Sequence, residues 1–168
     1  MKILVYPHPT LKAPAEPVGD PGEVAEAAQE MFRTMYDNKG VGLAATQVGI
    51  PRRFFVMNTR DEPSREHVLI NPEIVEGKGE VVAVEGCLSL PGLEMKVPRY
   101  AWVKIRATTL DGHEIELEGD GLFARAVQHE LDHLAGKLII DRASPAARVA
   151  LKPRLREMEK NFKRKDGP

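Results

Sequence analysis

Gln128-His129-Glu130-Leu131-Asp132-His133 is the stretch from which the rest of the chain can be read. On an α-helix, residues four apart are separated by about 6 Å of rise and about 40° of rotation, so His129 and His133 look out from one face. Two imidazoles so placed can grip one metal ion. Glu130, one step round the helix, is badly placed as a ligand but well placed to take a proton from a water bound to that ion. The competing reading is a solvated helix carrying two unrelated histidines, because H-E-x-x-H is a short pattern. A third ligand decides between them.

Around this stretch, Gly121 through Ala135 reads as one helix with Leu122, Ala126, His129 and His133 on one face, and Gly136 just past its end. Upstream, Ala101 to Leu110 and His113 to Glu118 alternate around Asp111-Gly112, the strongest hairpin signal in the chain. Arg52 to Asn58 and His67 to Asn71 have the composition of short strands. Ile74 to Glu76 and Glu80 to Val84 flank Gly77-Lys78-Gly79, which reads as a further hairpin turn. Glu85 to Gly92 leaves a strand and enters a turn.

At the front, Pro7, Pro9, Pro14 and Pro17 make residues 1–19 an extended, irregular arm. Asp20-Pro21 caps a helix expected over 21–37, with Val24, Ala28, Met31 and Met35 as its inward stripe. Asn38-Lys39-Gly40 should end it, since Asn and Gly tolerate the left-handed conformation. Gly40-Val41-Gly42-Leu43-Ala44-Ala45-Thr46-Gln47 carries little bulk, as suits a backbone that lies close to a ligand or a neighbouring strand. It lacks the Lys-Ser/Thr of a phosphate loop and the glycine spacing of a dinucleotide fingerprint. At the back, Ser144-Pro145 opens a tail over 144–165 with Leu151, Leu155, Met158 and Phe162 as its stripe, and Pro153 should kink or divide it. The fold expected is α+β, residues 1–168 forming a single domain. Mostly antiparallel sheet packs around the central helix, flanked by an N-terminal and a C-terminal helix.

The chain has 168 residues, 42% hydrophobic and 29% charged, with a formal net charge of -1. That length suits one well-buried domain. No run approaches the roughly 20 apolar residues that span a bilayer, so no membrane role is expected. Met1 to Pro7 lacks the length and cleavage site of a signal peptide, which makes the expected address cytoplasmic. The charge offers no general attraction to nucleic acid, although Lys152 to Lys165 is locally basic.

A hydrolytic metal site takes three protein ligands and leaves a position open. The long metzincin pattern would need a histidine where Ile139 stands, so it is excluded. His8, His67 and His113 have no spacing that recommends them. Cys87, the sole cysteine, has a thiolate to offer and Gly86 beside it to aim the backbone, but the residues alone leave a downstream carboxylate open as well.

Gly40 to Gln47, Glu85-Gly86-Cys87-Leu88-Ser89 and Gln128 to His133 together resemble the three signature motifs of the peptide deformylases, in order and with similar gaps. The likeness runs from the proline-rich arm through the metal helix and is weakest after Arg142. It implies that Cys87, His129 and His133 bind one divalent metal, Fe2+ in this family, with Zn2+, Ni2+ or Co2+ also accepted by such a donor set. It implies that Glu130 is the general base and acid, and that Gln47 and the Leu88 N–H hold the formyl oxygen. Gly40 and Gly42 would then leave room for a peptide backbone, with Val41 and Leu122 as walls for a methionine side chain or else as ordinary core. The implied substrates are N-formyl-methionyl nascent polypeptides, with the basic tail a candidate contact to the ribosome. Leu93 to Lys96 falls on variable ground in the family. An endopeptidase with the same helix, a purely structural Cys-His-His metal site and a nucleic-acid- or ribosome-binding module acting through the basic tail are the competing readings, and Glu85 with Arg99 is an expected ion pair across the Cys87 turn.

Overall fold

Proline-rich arm and first helix are joined as the capping residues require. In the computed structural model, which describes residues 1–60 and 62–165, Asp20 accepts a hydrogen bond from Gly22 N at 3.0 Å and a single 3-10 turn, Pro21–Val24, leads into α1, Ala25–Asp37. Val24, Ala28, Met31 and Met35 are all buried, as the periodicity predicts. The residue that closes the helix differs from expectation. Lys39 takes the left-handed conformation, at φ 56°, while Gly40 N reaches back to Met35 O at 2.9 Å.

The strands follow as β1, Gly42–Ala44; β2, Phe54–Met57; β3, His67–Lys78; β4, Val81–Cys87; β5, Leu90–Arg99; β6, Trp102–Thr108; and β7, Glu114–Asp120. They form an antiparallel five-stranded sheet in the order β1-β2-β3-β6-β7 and a two-stranded ribbon, β4-β5. The hairpin around Asp111-Gly112 is present as β6–β7.

The hairpin expected around Gly77-Lys78-Gly79 is not. Residues 74–76 and the preceding segment are one long strand whose far half pairs with β6, and Gly79, at φ 67°, carries the chain out of this sheet into the ribbon. Burial explains the choice: β6 brings Val103 and Ile105 fully inside, whereas Val82 and Val84 of β4 remain exposed. The turn expected through Glu85 to Gly92 is also shorter than its prolines and glycines suggested, because Leu90 to Arg99 forms β5, which buries Leu90 and then Leu93, Met95 and Val97 at every second position on one face.

α2 spans Gly121–Leu134 and ends at Gly136, φ 76°, where any Cβ would stand 2.5 Å from Lys12 O of the arm. α1 and α2 cover opposite faces of the five-stranded sheet. Phe54 and Val56 of β2 point into the cluster beneath α1, and Phe55 and Met57 into the one beneath α2. β2 is therefore buried on both sides, and the helix bearing the histidines is backed by packed strand.

α3, Pro145–Lys165, begins where Ser144 Oγ accepts from Ala147 N at 3.2 Å. It runs on through Pro153 as one helix, so the proline does not divide it. The hydrogen bond lost there belongs to residue 149, on an exposed turn where water can replace the missing donor. Leu151, Leu155 and Met158 pack with Tyr6, Leu11 and the inner face of β5 in a third cluster. Tyr6 donates to Glu159 across it at 2.7 Å. No helix among the described residues is long and apolar enough to cross a membrane.

Candidate metal centre

Three side chains from two distant segments meet at one point. α2 presents His129 and His133 on one face, their Nε2 atoms 3.2 Å apart, and the end of β4 brings Cys87 Sγ to 3.3 Å from His133 Nε2. All three ligand atoms lie within 4.8 Å of one another. A divalent ion at about 2.0–2.1 Å from nitrogen and about 2.3 Å from sulfur in a tetrahedral site would hold its donors roughly 3.3–3.6 Å apart, so spacing and donor chemistry both fit a single ion. Of the third-ligand candidates the residues left open, it is Cys87 that reaches the histidines.

The orientation of His129 is set from behind. Its Nδ1 meets Glu85 Oε1 at 3.0 Å, which leaves Nε2 turned to the cluster. Glu85 in turn accepts two bonds from Arg99, at 2.8 and 2.9 Å, as the opposite charges flanking the turn suggested. Burial works against ionised Glu85, but the hydrogen bonds from Arg99 and His129 outweigh it and hold its pKa down to about 2. Burial pushes His133 well below the ordinary imidazole value, keeping it neutral, the state a ligand requires.

Glu130 lies beside these donors without joining them. It is buried, and burial raises its pKa to about 7, a value at which a carboxyl can both accept and return a proton near neutrality. Its Oε2 is buried with no hydrogen-bond partner among the described residues, an arrangement that calls for a ligand or water. Gly42 of β1 runs past it so closely that a Cβ there would stand 2.7 Å from Glu130 Oε1.

Gln47 sits at the base of the same cavity, on the 3-10 turn Ala45–Val48 after β1. Its Oε1 accepts from Ala44 N at 3.0 Å and its Nε2 donates to Ser89 Oγ at 3.1 Å, with Cys87 Sγ 3.8 Å from the same nitrogen. The cavity, of about 570 Å³, is lined by Gly40, Val41 and Gly42 on one wall, by Val84 to Leu88 on another and by Leu122 and Ala126 of α2 on a third. Val41 and Leu122 are exposed on it, which separates them from ordinary core. Glu94, from the variable Leu93 to Lys96 segment, also lines it, as does Arg125, which no sequence pattern marked, since an isolated charged residue between apolar ones carries none. Ser89 and Asp132 were quoted within motifs but had no role until their partners came into view.

Residues 1–149 match the model of the family described as polypeptide deformylase. The chain is 47% identical to a peptide deformylase of Chromobacterium violaceum over 95% of its length and 96% of the relative's. It is 42% identical to peptide deformylase 1 of Shewanella oneidensis, with 95% and 96% covered. Among solved structures, it is similar to Arabidopsis thaliana peptide deformylase 1B, with a TM-score of 0.95, 36% identity, and 100% of this chain and 95% of the other covered. The Plasmodium falciparum peptide deformylase gives a TM-score of 0.92 at 35% identity, covering 99% of this chain and 100% of that one. A match across most of the chain, to relatives of the same length, shows that this chain belongs to the peptide deformylase family, the metal-dependent hydrolases that remove the N-formyl group from nascent polypeptides.

Proposed function

We propose that Cys87, His129 and His133 hold the metal of this deformylase, with Glu130 its general base and acid and Gln47 and Leu88 its oxyanion donors. The observation that carries the assignment is the meeting of Sγ and two Nε2 atoms beside a buried carboxylate with an unsatisfied oxygen. A divalent ion bound there supplies Lewis acidity and lowers the pKa of water from 15.7 to about 7. Fe2+ is the ion we assign, on the family resemblance.

The remaining steps belong to the chain's own groups. Among the described residues β1 pairs with β2 alone and β4 with β5 alone, which leaves each strand a free edge, and residues of both strands line the cavity. An extended peptide between them can add its backbone to those edges, with the methionine side chain against Val41 and Leu122. Glu130 takes the proton of the attacking water. As the formyl carbon becomes tetrahedral, its oxygen accepts from the Leu88 N–H and from the Gln47 N–H nearest Cys87, donors that act most strongly where charge develops. Glu130 then returns the proton to the departing amine, and formate leaves.

Formate release from formyl-methionyl peptides by anaerobically purified protein, paired with elemental analysis, tests both reaction and metal. Cleavage inside the peptide would favour the endopeptidase reading. Tight metal with no formate release would favour the structural site. A cytoplasmic setting follows from the substrate. The exposed Lys163, Arg164 and Lys165 in the last turn of α3 support a contact to ribosomal RNA. Co-sedimentation with ribosomes that persists without metal and weakens with salt is the result that contact requires.

A further inference from the structure

We propose that Arg142, outside all three motif segments, is a positioning residue for His129, acting through Asp132, Arg99 and Glu85. The inference rests on the reading of His129 as a metal ligand. Charges alternate along an unbroken line. Arg142 grips Asp132 with Nε to Oδ2 at 2.9 Å and Nη2 to Oδ1 at 2.7 Å. Asp132 Oδ2 also accepts from Arg99 Nη1 at 2.6 Å, and the other two nitrogens of Arg99 hold both oxygens of Glu85. Glu85 Oε1 then meets His129 Nδ1 at 3.0 Å.

The three inner members are nearly dry: the side chains of Arg99, Glu85 and Asp132 are 2%, 9% and 10% exposed, and only Arg142, at 41%, reaches water. A guanidinium buried this deeply stays aimed only if both ends of its fork are held. Glu85 holds one end. Asp132 holds the other, and its own carboxylate plane is fixed by the two bonds from Arg142. Removing Arg142 leaves Asp132 free to rotate and two buried carboxylates sharing one guanidinium. The slack passes through Arg99 to Glu85, whose remaining task is to aim the imidazole.

Arg142→Gln and Arg142→Lys, each purified as cobalt-loaded protein, test this through metal release to a chelator, the visible absorption of the bound cobalt, and kcat and KM for a formyl-methionyl peptide. Outer partners of ligating histidines typically contribute 10- to 100-fold in metal affinity or activity. Arg142→Gln should release cobalt about tenfold faster and lose kcat by a similar factor with KM unchanged. Arg142→Lys should fall between, because one ammonium cannot span both oxygens. A role in folding alone would lower the melting temperature while leaving cobalt release, spectrum and kcat as in the wild type, and that result overturns the proposal. So does a lower kcat with an unchanged release rate. Should Arg142→Gln not fold, Arg142→Lys decides by the same measurements. If the wild type releases no formate, the deformylase reading fails, while the cobalt release rate still tests the brace.

Discussion

Gly42 and Glu130 are in contact across the cavity, and the contact leaves no room for a side chain at position 42: an added Cβ would lie 2.7 Å from Oε1 and 3.0 Å from Cγ of the carboxylate arm. The small residues of β1 are thus tied to the proposed proton carrier as well as to the substrate. Gly42→Ala should push Glu130 or β1 aside and reduce formate release on the order of 10²-fold, the low end of what a positioned base contributes. Metal content should stay at the wild-type level, since none of the three proposed ligands is touched. A loss below about threefold, under 1 kcal/mol of barrier, would show that the carboxylate works without this support.

Glu130→Gln keeps the shape of the side chain and removes its ability to carry a proton. Formate release should fall by about 10²- to 10⁴-fold with the metal still bound. Loss of the metal in this variant would make Glu130 a ligand, and near-normal turnover would place the base elsewhere.

Gln47→Ala combines two effects that the structure separates. The side chain supplies a proposed oxyanion donor, so turnover should drop roughly 10²- to 10³-fold. It also accepts the buried Ala44 N–H at 3.0 Å, and orphaning that donor should cost about 1–3 kcal/mol of stability. Denaturant unfolding beside single-turnover kinetics distinguishes them: a stability loss with normal turnover would mean Gln47 is purely structural.

Tyr6 fastens the arm to α3 through its hydrogen bond to Glu159 at 2.7 Å, and burial with that bond pushes its pKa up to about 12. The folded-state value lies above the unfolded value of about 10, so the unfolded chain loses this proton first as pH rises. The stabilisation is complete below about pH 10 and declines as pH climbs from there through 12. Tyr6→Phe should lower stability near neutrality by about 1 kcal/mol and remove this part of the alkaline decline. Parallel alkaline stability curves for variant and wild type would contradict the assignment.

Much of this molecule was legible from residues alone because the signals are local. A 3.6-residue period is a property of the helix itself, so the stripe of α1 and the shared face of His129 and His133 needed no knowledge of the rest of the chain. The Asp111-Gly112 hairpin and the Gly136 helix end are likewise set by backbone sterics within a few residues. Strand partnership is different in kind: β4 could have paired with β3, and the pairing went to β6 because Val103 and Ile105 buried more apolar surface there, a competition between segments no local pattern records. The same reason left Cys87 and a carboxylate undivided on the residues, until tertiary structure carried the thiol of β4 to the helix some forty positions on. It was also tertiary structure that set Glu130 against Gly42 and joined Arg142 to His129, because ion pairs and close contacts depend on which surfaces meet after the strands have chosen their neighbours.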